Sequence, residues 1–172
     1  MKLVSPSKEF ESAFKVYYQD FLEHDIDNSD YYKDGVLDFS RYIECLDDEA
    51  RGVNLPDGYV PCNHYWLVND EGEILGAIRV RHRIDNEFLS LEAGHIGYDI
   101  APSKRGSGYG KAMLKFAIPK ASSLGIKQAL ITADEDNIAS RKVIETNGGK
   151  FEKIVFGKVF PGPVARYWLD CQ

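Results

Sequence analysis

Cysteine is scarce: Cys45, Cys62 and Cys171 are the only three in 172 residues. An odd count with no Cys-x-x-Cys pair and no clustered histidine argues against a disulfide framework and against a zinc site. They read as reduced packing thiols, with Cys62 alone near a pocket. Positive charge is also in deficit, 21 Lys and Arg against 27 Asp and Glu for a net charge of −6. Such a chain lacks the cationic surface that nucleic acid requires. No segment approaches the roughly 18 apolar residues of a membrane span, and the opening MKLVSPSKEF has no apolar core of signal-peptide length. A cytoplasmic protein without membrane or nucleic-acid partners is expected. Repeats and low-complexity tracts are missing too.

What is there is a chain with 44% hydrophobic residues, long enough to bury one core and too short for two ordinary domains, so residues 1–172 read as a single domain. Phe10, Phe14, Tyr17 and Phe21 keep helical spacing behind Ser5 and Pro6, which predicts a helix over about 6–23. The acidic link HDIDNSDYYKDG follows. Asp38 then caps a second helix with Phe39, Ile43 and Leu46 on one face. From His64 the period changes: YWLV, the turn NDEG and EILGAIRVRHRI read as an antiparallel hairpin. Arg79, Arg81 and Arg83 alternate along its second strand, as on a solvated strand face. HIGYDI (95–100) is a further strand. The apolar residues from Ala112 to Leu124 give a helix in which Pro119 predicts a kink. A buried strand covers 128–133, Asn137 caps a helix to about Asn147, and strands at 150–156 and 165–170 close the chain. Helices alternating with strands mean α/β or α+β, with a mixed sheet.

The densest chemistry lies in Arg105-Gly106-Ser107-Gly108-Tyr109-Gly110-Lys111, between a strand and a helix. Alternate glycines let backbone N–H groups converge on an anion, and a helix N-terminus adds a positive dipole end. A P-loop fails here, because its leading glycine falls on Arg105 and its magnesium-binding hydroxyl on Ala112. The dinucleotide fingerprint fails as well, since its third glycine is Lys111. Arg, two residues, Gly, one residue, Gly is matched at each position.

In that loop, in IGYDIAPSKRGSGYGKAML, in the strand ending TAD and in Asn137 and Ser140 of DNIASRKVIETNGG, the chain resembles the GNAT acetyltransferases. The likeness is dense over about residues 94–149 and extends to VPCNHYWLV, GHIGY and RYWLD. It implies a GNAT-like fold, a mostly antiparallel sheet splayed between the strands at 95–100 and 128–133 and flanked by helices. It also implies acetyl-CoA as cosubstrate, no metal, and an amine of a small molecule or protein as acceptor, with a homodimer as an expected assembly. Residues 105–111 would hold the diphosphate, Asn137 and Ser140 the pantetheine and phosphate portions, and the N–H of Ile100 the thioester carbonyl.

Aminolysis of a thioester needs a neutral amine and an outlet for the thiolate. At a lysine-like pKa of about 10.4, only about one amine in a thousand is neutral at pH 7. Where the family often carries a glutamate, this chain has His95, the candidate base, with Glu92 and Asp99 in reserve. The family's acid tyrosine is replaced by Ile144, which donates no proton. That replacement leaves two readings open, an N-acetyltransferase and a CoA-binding sensor or interaction module with weak or lost turnover. His64 and Trp66 fall where the resemblance places the acceptor pocket.

Overall fold

The computed structural model describes residues 1–172. Seven strands form one sheet: β1 Lys2–Val4, β2 Cys62–Val68, β3 Ile74–Arg81, β4 Ile96–Ile100, β5 Gln128–Asp134, β6 Lys150–Phe156 and β7 Pro163–Asp170, in the spatial order β1-β2-β3-β4-β5-β7-β6. Every neighbouring pair is antiparallel except β4 and β5. Those two run parallel and share one registered pair, Ile96 with Ile131, so the sheet opens beyond it. The splay expected from the resemblance is thus present.

Four longer helices flank the sheet: α1 Glu11–His24, α2 Phe39–Arg51, α3 Tyr109–Ser123 and α4 Ile138–Thr146. Strand alternation divides the core. Ile78, Val80 and Ile96 pack with Met113, Leu114 and Ala117 of α3. Ala77 and Trp66 pack with Phe14, Tyr17 and Phe21 of α1 and Phe39 and Ile43 of α2. The Phe14 ring is the hub of this second cluster, its centroid lying 5.2 Å from that of Tyr42, 5.4 Å from Phe39 and 5.4 Å from Trp66.

Local signals set the helix ends. The Asp38 carboxylate accepts the Arg41 N–H at 3.0 Å and starts α2, and Gly52 ends it in the left-handed region at φ 70°. Helix α1 starts later than the Ser5-Pro6 signal, because Lys8–Phe10 form a 3₁₀ turn ahead of Glu11. The α3 helix continues through Pro119, whose exposed position leaves the carbonyl four residues back to water.

Several elements lie outside the sequence reading, among them a helical turn at Leu89–Ala93. The three-residue β1 adds an edge to β2. The link after α1 folds into helical turns, Ile26–Ser29, Asp30–Tyr32 and Lys33–Leu37. These turns carry Tyr32 into the aromatic cluster at 3% exposure. At the opposite edge β6 is uncovered: Phe151, Ile154 and Phe156 are exposed, and its register with β7 shifts between Phe151 and Lys153.

Candidate functional site

Past Ile100 the chain makes a 3₁₀ turn, Pro102–Lys104, and enters the glycine loop. Two carboxylates at the end of α1 fasten it. Asp20 accepts the backbone N–H and the hydroxyl of Ser103, both at 3.0 Å. Asp25 accepts the Arg105 guanidinium at 2.6 Å. Burial pushes the Asp25 carboxyl up, but the bonds from Arg105 and Asn28 hold it below the usual carboxylate range. Arg105 also donates from Nε to the Ile100 carbonyl at 3.2 Å. Its side chain therefore braces the loop, and its expected contact with a diphosphate is not made by a free guanidinium.

Gly106 and Gly108 adopt φ 79° and 82°, and a Cβ on either would meet nothing within 4 Å. The N–H groups of residues 106–111 donate to no acceptor in the protein; the first bond of the helix is from Ala112 N–H to the Gly108 carbonyl at 3.2 Å. Six consecutive main-chain donors, the last three in the first turn of the 15-residue α3, make an anion cradle reinforced by the helix dipole. Gly110 lets α3 approach α4, since a Cβ there would lie 3.2 Å from Val143. The fold thereby sets Gly110 beside Val143 in the second half of α4 and Lys111 at its end, where Asn147 Nδ2 donates to the Lys111 carbonyl at 3.2 Å. At the start of α4 the Asn137 side chain accepts the Ser140 N–H at 3.0 Å and the Tyr98 hydroxyl lies 2.8 Å from the Ser140 hydroxyl. Burial pushes the Tyr98 phenol up to about 12.

The gap between β4 and β5 leads from this cradle to the other face of the sheet. Ala101 N–H donates to the Leu75 carbonyl and the His95 carbonyl accepts the Arg81 N–H, so the odd residues of β4 bond toward β3. The N–H groups of Tyr98 and Ile100 then face the gap. A cavity of about 890 Å³ spans the gap, bordered on the α4 side by Tyr98, Asn137, Ser140 and the end of β5 and on the other by β2, β3, α2 and the turns before α2. Arg79 and Arg81 point into it, where the sequence suggested a solvated strand face. Arg79 is held by Asp99 at 3.2 Å, and Asp99 also accepts the Tyr32 hydroxyl at 2.8 Å. Tyr31 lies under the same guanidinium, 5.5 Å from its ring centroid. Trp66, at 1% exposure, is chiefly core.

The three candidate bases are all engaged. His95 precedes β4 and is buried, and its Nδ1 accepts the Leu130 N–H at 2.9 Å. It borders a separate recess with Gly125 and Lys127 and does not line the cavity. Burial, with Arg81 nearby, lowers its pKa. A neutral ring whose open lone pair already binds a backbone amide is a sheet pin, and the structure does not bring it to the gap. Glu92 accepts the N–H groups of Lys158, Val159 and Phe160. Against the upward push of burial, those donors keep its carboxyl below the usual range. Asp99 serves Arg79 and Tyr32. Ile144, at the expected acid position, is fully buried.

The fold also supplies what the cysteine spacing did not reveal. Cys62, His64 and Glu49 bring their polar atoms within 4.8 Å of one another in the cavity wall. The bond between His64 Nε2 and Glu49 Oε2, at 2.7 Å, joins β2 to α2. Burial favours the neutral ring, but hydrogen bonding to Cys62 and Glu49 overcomes it and pushes the imidazolium up to about 9. A raised histidine pKa stabilises the fold fully below the unfolded value, about 6.5, and the gain disappears as pH rises through 9. Unfolding by urea should show wild type more stable than His64→Gln by on the order of 3 kcal/mol near pH 6. By about pH 9.5 most of that difference should be gone, and a difference independent of pH would contradict the ion pair.

Residues 40–150 match the family profile described as an acetyltransferase (GNAT) domain. No curated protein sequence matches the chain. Among solved structures, RimJ of Mycobacterium smegmatis in complex with CoA-disulfide superposes with a TM-score of 0.70 at 16% identity, over 98% of this chain and 80% of that one. Ribosomal-protein-S5-alanine acetyltransferase of Vibrio fischeri gives 0.68 at 12% identity, over 99% and 92%. A single-residue mutant of spermidine N-acetyltransferase SpeG of Vibrio cholerae gives 0.65 at 12% identity, over 99% and 95%. At these identities the likeness is one of fold.

Proposed function

Because the chain belongs to the GNAT acetyltransferase family, we propose that residues 1–172 form one cytoplasmic N-acetyltransferase that moves an acetyl group from acetyl-CoA to an amine. The observation that carries this reading is the run of six unpaired main-chain N–H groups, 106–111, at the mouth of α3. A dianionic diphosphate suits that cradle: it needs convergent donors and a dipole, and no Cβ obstructs the approach at Gly106 or Gly108. The RimJ complex with CoA-disulfide supports the same choice of ligand.

When bound, acetyl-CoA supplies an acetyl group activated as a thioester. The residues of the chain divide the remaining work. Residues 106–111 hold the diphosphate, with Arg105 bracing the loop. Asn137 and Ser140 flank the pantetheine arm where β4 and β5 separate. The N–H of Ile100, turned toward the gap, is the donor for the carbonyl oxygen. In the transfer a C–N bond forms, the C–S bond breaks, and the amine proton leaves to solvent.

Proton handling by the protein is modest in this reading. His95, Glu92 and Asp99 are all bonded elsewhere, and His64 is already protonated at neutral pH. The acceptor therefore reacts as the neutral amine that solution supplies, helped by the cationic wall of Arg79 and Arg81, which disfavours a neighbouring ammonium. A thiol of pKa near 8.5 is a tolerable leaving group without an acid, and the Tyr98 phenol at about 12 keeps its proton throughout. With acetyl-CoA and a panel of amines, thiol release should be detectable, and log kcat/KM should rise with unit slope up to the pKa of the amine itself. A plateau near pH 6 to 7 that His95→Ala removes would restore His95 as the base. Coenzyme binding without thiol release for any amine would favour the sensor reading that Ile144 motivates.

A further inference from the structure

We propose that Cys62, His64 and Glu49 form a zinc site in the cavity wall, its fourth coordination position open to the cavity. The site goes beyond acetyl transfer and does not depend on it. Across the sheet Cys62 pairs with Arg81, five residues along β3 from Gly76, the partner of Ile100. That is about 17 Å of extended strand. The ion therefore does not meet a carbonyl held at the Ile100 amide, and its work is to bind and to fasten.

The donor set selects the metal. Strand parity puts Cys62 and His64 on one face of β2, and Glu49 reaches them from the last turn of α2, so that the polar atoms of all three lie within 4.8 Å of one another. Thiolate, imidazole and carboxylate are the three ligand types that zinc accepts, whereas calcium and magnesium take oxygen. In the metal-free chain His64 Nε2 and Glu49 Oε2 stand 2.7 Å apart with one proton between them. Zinc in place of that proton, with bonds of about 2.0–2.1 Å at the tetrahedral angle, needs about 3.3 Å between nitrogen and oxygen and about 3.5 Å from each to sulfur. These are side-chain movements, and the partly exposed Glu49 is free to make them.

The charge balance suits the surroundings. Coordination takes one proton from a thiol and one from an imidazolium, both released to solvent. Two protons leave and one dication enters, so the wall keeps its net charge and the nearby arginines meet no added repulsion. Arg79 is held by Asp99, and Arg81 is drawn toward the turn before β4 by its bond to the Gly94 carbonyl at 3.2 Å. Access is present too: the His64 and Glu49 side chains keep 20% and 25% exposure, and all three residues line the cavity, which leaves room for a water as fourth ligand. The spacing of cysteine and histidine concealed the set because β2 supplies only two ligands and the third stands 13 positions earlier, on a helix. The ion ties the end of α2 to the start of β2 across residues 52–61, the join that the His64–Glu49 bond makes without it.

Cobalt(II) and zinc are the probes, added to the full chain after a chelator has stripped it and been removed. The wild-type protein should take up one cobalt ion per chain with thiolate-to-cobalt charge-transfer absorption in the near ultraviolet and strong tetrahedral ligand-field bands in the visible, and zinc should displace it. Cys62→Ser should lose the charge-transfer absorption. Glu49→Gln should weaken zinc binding by at least about tenfold, the least that even an outer-sphere partner costs. Cys45→Ser, which alters a second thiol in the cavity wall that lies outside the trio, should leave the spectrum and the affinity as they are. X-ray absorption of the zinc-loaded wild type needs no variant to fold and should show one sulfur at about 2.3 Å and the remaining ligands, nitrogen and oxygen, at about 2.0–2.2 Å. A zinc shell without sulfur, an octahedral cobalt spectrum, or charge-transfer absorption that survives Cys62→Ser overturns the proposal.

Discussion

Gly108→Glu should abolish the rise in melting temperature that acetyl-CoA produces in the wild-type protein. At a coenzyme concentration a hundred times Kd, binding to the folded state alone adds about 2.7 kcal/mol, which in a chain of this size is a rise of about 5–10 °C. The substitution strikes the one place where the ligand phosphates must come nearest. Gly108 is the residue before α3, at φ 82°, and a Cβ added there would have nothing within 4 Å, so the new side chain projects into the space in front of the amides and carries a negative charge there. The left-handed conformation costs the variant about 1–2 kcal/mol in its ligand-free form. That penalty appears in the baseline melting temperature and not in the response to ligand. A variant whose coenzyme response equals that of wild type would place the diphosphate somewhere other than this loop.

Phe14→Ala should lower unfolding free energy by about 3–5 kcal/mol, the range for deleting a fully buried aromatic ring. Phe14 is 0% exposed and meets Tyr17, Tyr32, Phe39, Tyr42 and Trp66. No single neighbour can collapse into the space without leaving the others. Urea denaturation measures the loss, and thermal unfolding should fall by about 10 °C. A loss under about 1 kcal/mol would mean that the cluster repacks and that Phe14 is not its hub. The consequence reaches the cavity, because Tyr32 of this cluster bonds Asp99, which in turn holds Arg79. Acceptor binding should weaken in the variant, and the coenzyme response should fall only as far as the end of α1 shifts, where Asp20 and Asp25 fasten the glycine loop.

These two effects also mark what could be read from the linear sequence. The loop was legible because its chemistry is local: spacing alone places Gly106, Gly108 and Gly110 between a strand and a helix, and Asn137 carries its cap three residues ahead of Ser140. The hairpin and the helix starting at Asp38 were legible for the same reason. The cavity wall was not. His64 meets Glu49 across 15 positions and Tyr32 meets Asp99 across 67, and no periodicity encodes such pairings. At His95 the residue type and the place before Ile96-Gly97-Tyr98 matched a role, but the spacing could not show where the ring goes. Its ring instead crosses to β5 and binds the Leu130 amide. Arg79 and Arg81 resembled a solvated face because alternation reports which residues share a side, while the helical turns of 26–37 decide that this side is roofed. Those turns carry weak helical signals and are held by burial of Tyr32.

The uncovered edge at β6 brings a hazard of its own. A ribbon with Phe151, Ile154 and Phe156 in water is a template on which another polypeptide can assemble, and a protein left that way must discourage the wrong visitors. The break in step between Phe151 and Lys153 does so by spoiling the straight ladder an intruding strand would need, and Lys150 and Lys153 add charge along it. Shortening that bulge by one residue would convert a guarded margin into an adhesive one, so the irregularity that looks like imperfect pairing is itself the guard.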